Sequence, residues 1–208
     1  MFRLFLVVLL MFTPALSVKT QAQAQEQNRP LAPEGATGWN NNAKTAQGSE
    51  FMAVTAHPDA TRVAHQVLSA GGTAADAGIA AQMMLGLVEP QSSGLGGGAF
   101  ILYYDAKTNA VLSLDGRETA PANAGPHLFT KEDGSAMGFY QAAHGGRAVG
   151  VPGMLRALEK LHAWQGKMKW SDLFQPAMVA ARQGFTVSPR LHQSLVKEAA
   201  RFEADIDT

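Results

Sequence analysis

Cysteine is absent from the 208-residue chain. Disulfide scaffolds, thiolate metal sites, iron–sulfur clusters and cysteine nucleophiles are excluded together, so any nucleophile must be an oxygen or a nitrogen. An excess of charge of either sign is missing as well: 17 basic residues stand against 17 acidic ones. Without a basic stripe to release counterions from a phosphate backbone, the chain has no electrostatic footprint for nucleic acid. Six histidines (His57, His65, His127, His144, His162 and His192) show neither H-x-x-x-H nor H-E-x-x-H spacing, which argues against a metal site. The serine elbow G-x-S-x-G and the lysine of a phosphate-binding Walker loop are also lacking. Apolar runs long enough to span a bilayer are lacking too; the stretch from Leu4 to Phe12 is too short for that.

What is present is an ordinary globular composition, 46% hydrophobic and 16% charged. The run Leu4 to Phe12 follows Arg3 and reads as the h-region of a secretory leader, with Ala22-Gln23-Ala24 as the small-x-small cleavage pattern. Residues 1–24 are therefore read as a signal peptide, the alternatives being a cut near Ala15 and Ser17 or a short membrane anchor. Loss of Arg3 and Lys19 with the leader leaves 15 basic and 17 acidic residues, a net charge of −2. Residues 25–50 are rich in Gln, Asn, Pro, Gly and Ala and read as a polar linker. Periodic patterning begins at Phe51, so residues 51–208 are read as the folded part.

Met52 to Ala56 predicts a short buried strand. A helix follows near Asp59 to Ala70, with Val63, Val67 and Leu68 on one face and Gly71-Gly72 as its left-handed stop. Thr73 with Asp76 forms a capping-box pattern for a second helix to about Val88, apolar nearly all round and so buried between layers. Pro90 ends it. Gln91 to Gly98 is a glycine-rich loop feeding two strands, Ala99 to Tyr104 and Ala110 to Leu114, joined by a short hairpin connection. Pro152-Gly153 opens a helix through Trp164 with Leu155, Leu158 and Leu161 as its core face. Ser171 caps another through Gln183, which Pro176 kinks or splits, and Ser188-Pro189 begins a last helix with Leu191, Leu195 and Val196 inward, fraying into the acidic end Glu203 to Asp207. Trp164 and Trp170 read as packing anchors. This order predicts an α+β arrangement with helices covering a partly antiparallel sheet. The last residues carry no closing strand, the pattern of a partial polypeptide.

Gly94-Leu95-Gly96-Gly97-Gly98-Ala99 fits the dinucleotide fingerprint G-x-G-x-x-A in letters only, since the loop follows a helix and feeds a strand, with no helix N-terminus at the loop. Side-chain-free residues there let the backbone approach another element or a ligand closely. Beyond the second strand, Asp115-Gly116-Arg117-Glu118 clusters charge where the ladder ends. Guanidinium matches a carboxylate with two parallel hydrogen bonds, so Arg117 is a candidate anchor for an anionic substrate; the alternative is a salt bridge to Asp115 or Glu118.

Five segments occur in a fixed order: Thr55-Ala56-His57-Pro58, Ala70 to Ala77 (AGGTAADA), Glu89 to Gly98 (EPQSSGLGGG), Leu114 to Pro121 (LDGRETAP) and Gly150-Val151-Pro152-Gly153. Together, from about Phe51 to Arg190, they resemble the N-terminal part of the gamma-glutamyltranspeptidase (glutathione hydrolase) family. The resemblance implies a layered αββα N-terminal nucleophile hydrolase fold, here a partial large subunit. It also implies a proenzyme that cuts itself into large and small subunits, with glutathione or a related gamma-glutamyl compound as donor and water, amino acids or peptides as acceptors. No metal, organic cofactor, nucleic acid or stable membrane insertion is implied, and the location is periplasmic or secreted. The family's nucleophilic threonine sits in a Thr-Thr or Thr-Ser-His context that this sequence lacks, so it is expected beyond Thr208. Arg117 matches the arginine that holds the alpha-carboxylate of the gamma-glutamyl group, and Glu118 the acidic residue of the same pocket. A glutaryl (cephalosporin) acylase of the same fold and an inactive secreted amino-acid-binding protein are the alternatives.

Overall fold

The structure, a computed structural model, describes residues 45–204. The leader and most of the linker read from the sequence, and the acidic end beyond Ala204, lie outside the described residues. Residues 45–50 are exposed and carry no helix or strand.

Helix α1 (Pro58–Ser69) begins where the sequence places it. His57 supplies the cap: its Nδ1 accepts from the Asp59 amide at 3.2 Å, and Pro58 sits in the first turn, where its missing N–H costs nothing. Gly71 ends the helix at φ +82°, and the Gly72 amide reaches back to the Val67 carbonyl at 3.0 Å, so the orphan carbonyls of the last turn are satisfied. Helix α2 (Ala74–Val88) opens with the capping box formed in both directions: Asp76 N donates to Thr73 Oγ1 at 3.1 Å and Thr73 N to Asp76 Oδ2 at 2.8 Å. As its all-round apolarity requires, α2 lies in the centre; Ile79 and Val88 are fully buried and α1 packs along it. Burial of each large side chain there contributes about 1.5–3 kcal/mol.

Strands β1 (Ala99–Asp105) and β2 (Ala110–Gly116) form the antiparallel hairpin, with Phe100 opposite Asp115 and Asp105 opposite Ala110. Asn109 takes the left-handed conformation at φ 53° in the turn. Asp105 accepts from the Lys107 amide and the Thr108 hydroxyl, each at 3.0 Å, and the Lys107 amide above all holds its carboxyl below the usual carboxylate range. The inward residues Ile101 and Tyr103 join buried Leu114, Ala75 and Leu161 in a small second core. On the other face Phe100, Leu102, Tyr104 and Val111 are exposed.

A long, mostly exposed stretch with a short helix α3 (Phe139–Ala143) leads to α4 (Met154–Gln165), which packs on α2 and on the hairpin. A 3₁₀ turn (Trp170–Phe174) and α5 (Gln175–Gln183) lie against α2, and α6 (Pro189–Ala204) closes the described chain. Ser188 Oγ caps α6 by accepting from Leu191 N at 3.1 Å.

The α+β class holds: helices gather on one face of a hairpin. Five local expectations are corrected. Met52 to Ala56 pairs with no strand among the described residues, and Met52 and Val54 are exposed, because a strand-like pattern needs a partner edge to become a ladder. In α4, Leu158 and Leu161 are buried but Leu155 is 40% exposed; Met154 and Ala157 complete the inner face instead. Ser171 lies inside the 3₁₀ turn and caps nothing, since Pro176 takes the first turn of α5 and resets where the α-helix begins. Leu191 is buried, whereas Leu195 and Val196 face outward. Trp170 stacks edge-on between His162 and Phe174, but Trp164 is exposed beneath the Lys160 ammonium rather than wedged between helices.

Candidate functional site

Two charged centres flank α2. At its N-terminal end, Asp76 is fully buried and its carboxylate does more than close the capping box. Both oxygens accept from Lys167 N at 3.1 Å, and Oδ2 also accepts from Met168 N at 3.3 Å, so the loop after α4 is tied to the start of α2. His162 Nε2 bonds the Met168 carbonyl at 2.8 Å and braces the same loop. At the C-terminal end, Glu89 is 1% exposed. Its Oε2 pairs with Arg190 Nη1 at 2.6 Å and accepts from Gln91 Nε2 at 2.7 Å, while its backbone carbonyl accepts from Ser92 N and Ser93 N. Gln82 Nε2 then holds Ser93 Oγ at 2.6 Å. Sequence reading missed both roles. The signals for Glu89 were its place directly after a nearly all-apolar helix and at the head of the Glu89 to Gly98 segment.

These ties fix the two ends of the glycine loop's surroundings, and the loop reaches the end of β2. Gly97 O accepts from Gly153 N at 3.2 Å and from Met154 N at 3.1 Å, joining the loop to the start of α4. Thr119 and Val151 exchange backbone hydrogen bonds in an isolated antiparallel bridge. The short segment between the end of β2 and this bridge carries Arg117 and Glu118, the two residues singled out from the sequence, and their side chains meet. Arg117 Nε lies 3.4 Å from Glu118 Oε2, with the arginine side chain 69% exposed. Asp115 Oδ1 accepts from the Arg117 backbone N at 3.0 Å and so positions the main chain, not the guanidinium.

Of the alternatives left open for Arg117, the salt bridge to Glu118 therefore exists, yet it occupies only the Nε edge. The terminal nitrogens Nη1 and Nη2 have no partner among the described residues. Arg117 stands on the rim of an open cleft of about 760 Å³ between β2 and α4, where Asp115, Thr119, Arg156, Lys160 and Trp164 also line the walls. A carboxylate meeting the free fork would take two parallel, charge-assisted bonds. Among the described residues no group of three His, Asp or Glu side chains is arranged to hold a metal ion.

Fold comparison defines the class first. The chain superposes on the crystal structure of Helicobacter pylori gamma-glutamyltranspeptidase with a TM-score of 0.74 and 30% identity, covering 79% of this chain and 46% of that one. A cephalosporin acylase from Bacillus halodurans shares the fold at a TM-score of 0.60 and 24% identity, over 80% of this chain and 31% of that one. The sequence then narrows the class. Residues 60–208 match the family model for gamma-glutamyltranspeptidase, and the chain belongs to that family. It is 41% identical over 149 residues to the glutathione hydrolase proenzyme of Bacillus subtilis (strain 168), covering 71% of this chain and 25% of that protein. The chain thus spans about a quarter of the length of the curated relatives it matches. No helix among the described residues is long and apolar enough to cross a membrane.

Proposed function

We propose that this chain is the N-terminal part of the large subunit of a gamma-glutamyl transferase and hydrolase, made as a self-cleaving proenzyme and acting on glutathione or related gamma-glutamyl compounds. Residues 1–24 are its leader and 25–50 its linker, and the mature protein is periplasmic or secreted. The partner is the small subunit of the same precursor. No metal or organic cofactor takes part.

Arg117 carries this reading. Its open Nη fork suits the alpha-carboxylate of a gamma-glutamyl group, the feature that distinguishes a free amino acid head from an ordinary peptide. Glu118 pairs with the Nε edge and leaves the fork open. Grip at the alpha carbon orients the gamma-carbonyl away from Arg117, toward a threonine supplied by the small subunit. That hydroxyl attacks the carbonyl, the threonine's own alpha-amine takes its proton, and the amine of the leaving group departs with a proton, leaving a glutamyl ester. Water then releases glutamate, or an amino acid or peptide amine takes the acyl group. An alpha-amine with a pKa of about 8 accepts the proton near neutrality, which an internal amide nitrogen cannot, so self-cleavage precedes activity.

Arg117→Lys in the full-length protein tests the assignment. One ammonium cannot reproduce a paired fork, so self-cleavage is retained while kcat/KM on L-gamma-glutamyl-p-nitroanilide falls about 100-fold. Unchanged kinetics would overturn it. A glutaryl chain keeps a carboxylate in the same position and lacks only the alpha-amine, so the fork alone does not separate the two donors; the glutaryl acylase alternative has only the shared fold, at 24% identity, in its favour.

A further inference from the structure

We infer that Gly98 and Gly150 are positioning residues that set the site's selectivity for a donor carrying the alpha-carboxylate over one that lacks it; the inference rests on the reading of Arg117 given above. Neither glycine has a positive φ, so left-handed backbone is not what requires them. Space is. A Cβ on Gly98 would lie 2.8 Å from Glu118 N and 2.9 Å from Arg117 Cα, and would also strike Glu118 Oε2. A Cβ on Gly150 would come within 2.9 Å of Glu118 Cβ and 3.3 Å of Thr119 O. The Arg117–Glu118 segment is therefore packed against two bare stretches of main chain that fit only without side chains.

The same loop supplies its own contrast. At Gly94 and Gly96 an added Cβ meets nothing within 4 Å. The glycine requirement is thus confined to the residues that touch the Arg117–Glu118 pair and is not a property of the loop as a whole. This close packing of main chain against Glu118 accompanies its carboxylate's place on the Nε edge of Arg117, 3.4 Å away, which leaves the Nη fork for an incoming carboxylate. A methyl group at Gly98 must displace the main chain of Arg117, because backbone atoms rather than a flexible side-chain tip stand in its way. Displacements of this size disturb bidentate geometry strongly but leave alone a substrate that makes no bond to the fork.

The test uses the full-length, self-cleaved protein and two donors, L-gamma-glutamyl-p-nitroanilide and 4-aminobutyryl-p-nitroanilide, which keeps the amine and the chain length but lacks the alpha-carboxylate. For Gly98→Ala the ratio of kcat/KM between the two donors is expected to fall about tenfold, mainly through a higher KM for the gamma-glutamyl donor, with kcat within about twofold. Gly96→Ala is expected to match the wild type. Equal losses on both donors, or Gly98→Ala behaving like Gly96→Ala, overturn the inference. If Gly98→Ala does not mature, Gly150→Ala answers in its place, since its methyl presses mainly on the Glu118 side chain; failure of both to mature assigns these glycines to folding and also overturns it. Arg117→Lys on the same donor pair separates the two claims. An unchanged ratio there removes the carboxylate reading itself, whereas a lost ratio there with intact ratios in both glycine variants removes only the positioning role.

Discussion

Asp76 and Arg117 are both charged, both sit at the end of a secondary-structure element and both have neighbours of opposite or complementary polarity, but the structure uses them in opposite ways. Asp76 is fully buried, and backbone amides from Thr73, Lys167 and Met168 take up its oxygens. Arg117 is largely exposed and meets a partner along one edge only. A buried charge whose bonding capacity is spent within the chain holds elements together; a charge with bonding capacity left over at the rim of a cleft is available to a ligand. Substitutions that strike one centre and spare the other make the contrast measurable.

The largest stability effect is expected for Asp76→Ala. It leaves the Thr73, Lys167 and Met168 amides without their acceptor and frees the loop after α4 from α2. Destabilisation of about 3 kcal/mol follows from removing the shared acceptor of several part-buried donors at once, read as a lower urea midpoint or a failure to mature. A loss below about 1 kcal/mol would break the comparison, because the buried carboxylate would then be no more structural than an exposed one. Arg117→Lys should show the inverse: activity lost and the urea midpoint unmoved.

Glu89 lies between these cases and gives the next largest effect. It is as buried as Asp76, and its Oε2 is doubly engaged by Arg190 and Gln91, yet Glu89 Oε1 and Gln91 Oε1 are buried without a hydrogen-bond partner among the described residues. Removing one member of a buried pair leaves the desolvation of the other uncompensated by that contact. Glu89→Ala should therefore cost about 3 kcal/mol, while Glu89→Leu, close in volume, still takes the carboxylate away from the Arg190 and Gln91 side chains and should recover little. The double change Glu89→Leu with Arg190→Met, which removes both charges, should regain most of the loss; a double variant as unstable as the single would show that the pair is not the source of the effect.

Local chemistry made much of this readable from sequence. The Thr73–Asp76 box, the Gly71 stop, the 99–105 and 110–116 hairpin and the Pro152-Gly153 helix start each depend on residues within a few positions of one another. The lapses have a shared cause. Asp76 finds its second set of partners about 91 residues downstream and Glu89 its arginine 101 residues downstream, separations that no window of periodicity spans. Leu155 and Leu158 are equally apolar in sequence, and only the packing of α4 on the hairpin and α2 decides which of them turns inward. Arg117 and Glu118 were singled out by chemistry and by likeness to a family, but the reason for the glycines around them was a matter of distances.

The smallest effect sharpens the comparison most, because it isolates exposure from pairing. Arg156 shares the cleft with Arg117 and is likewise exposed, but its terminal nitrogen Nη1 is already engaged by Glu159 one helical turn on. Exposed pairs of this kind contribute little, since water screens them and two long side chains must be ordered to form them. Arg156→Ala should shift stability by less than about 0.5 kcal/mol. It should also leave kcat/KM on the gamma-glutamyl donor within about twofold, because one of its two terminal nitrogens is already engaged, whereas both terminal nitrogens of Arg117 are open. If Arg156→Ala instead abolished activity while Arg117→Lys did not, the carboxylate anchor would lie on α4 rather than at the end of β2, and an open fork would no longer be the feature that distinguishes a binding arginine from a structural one.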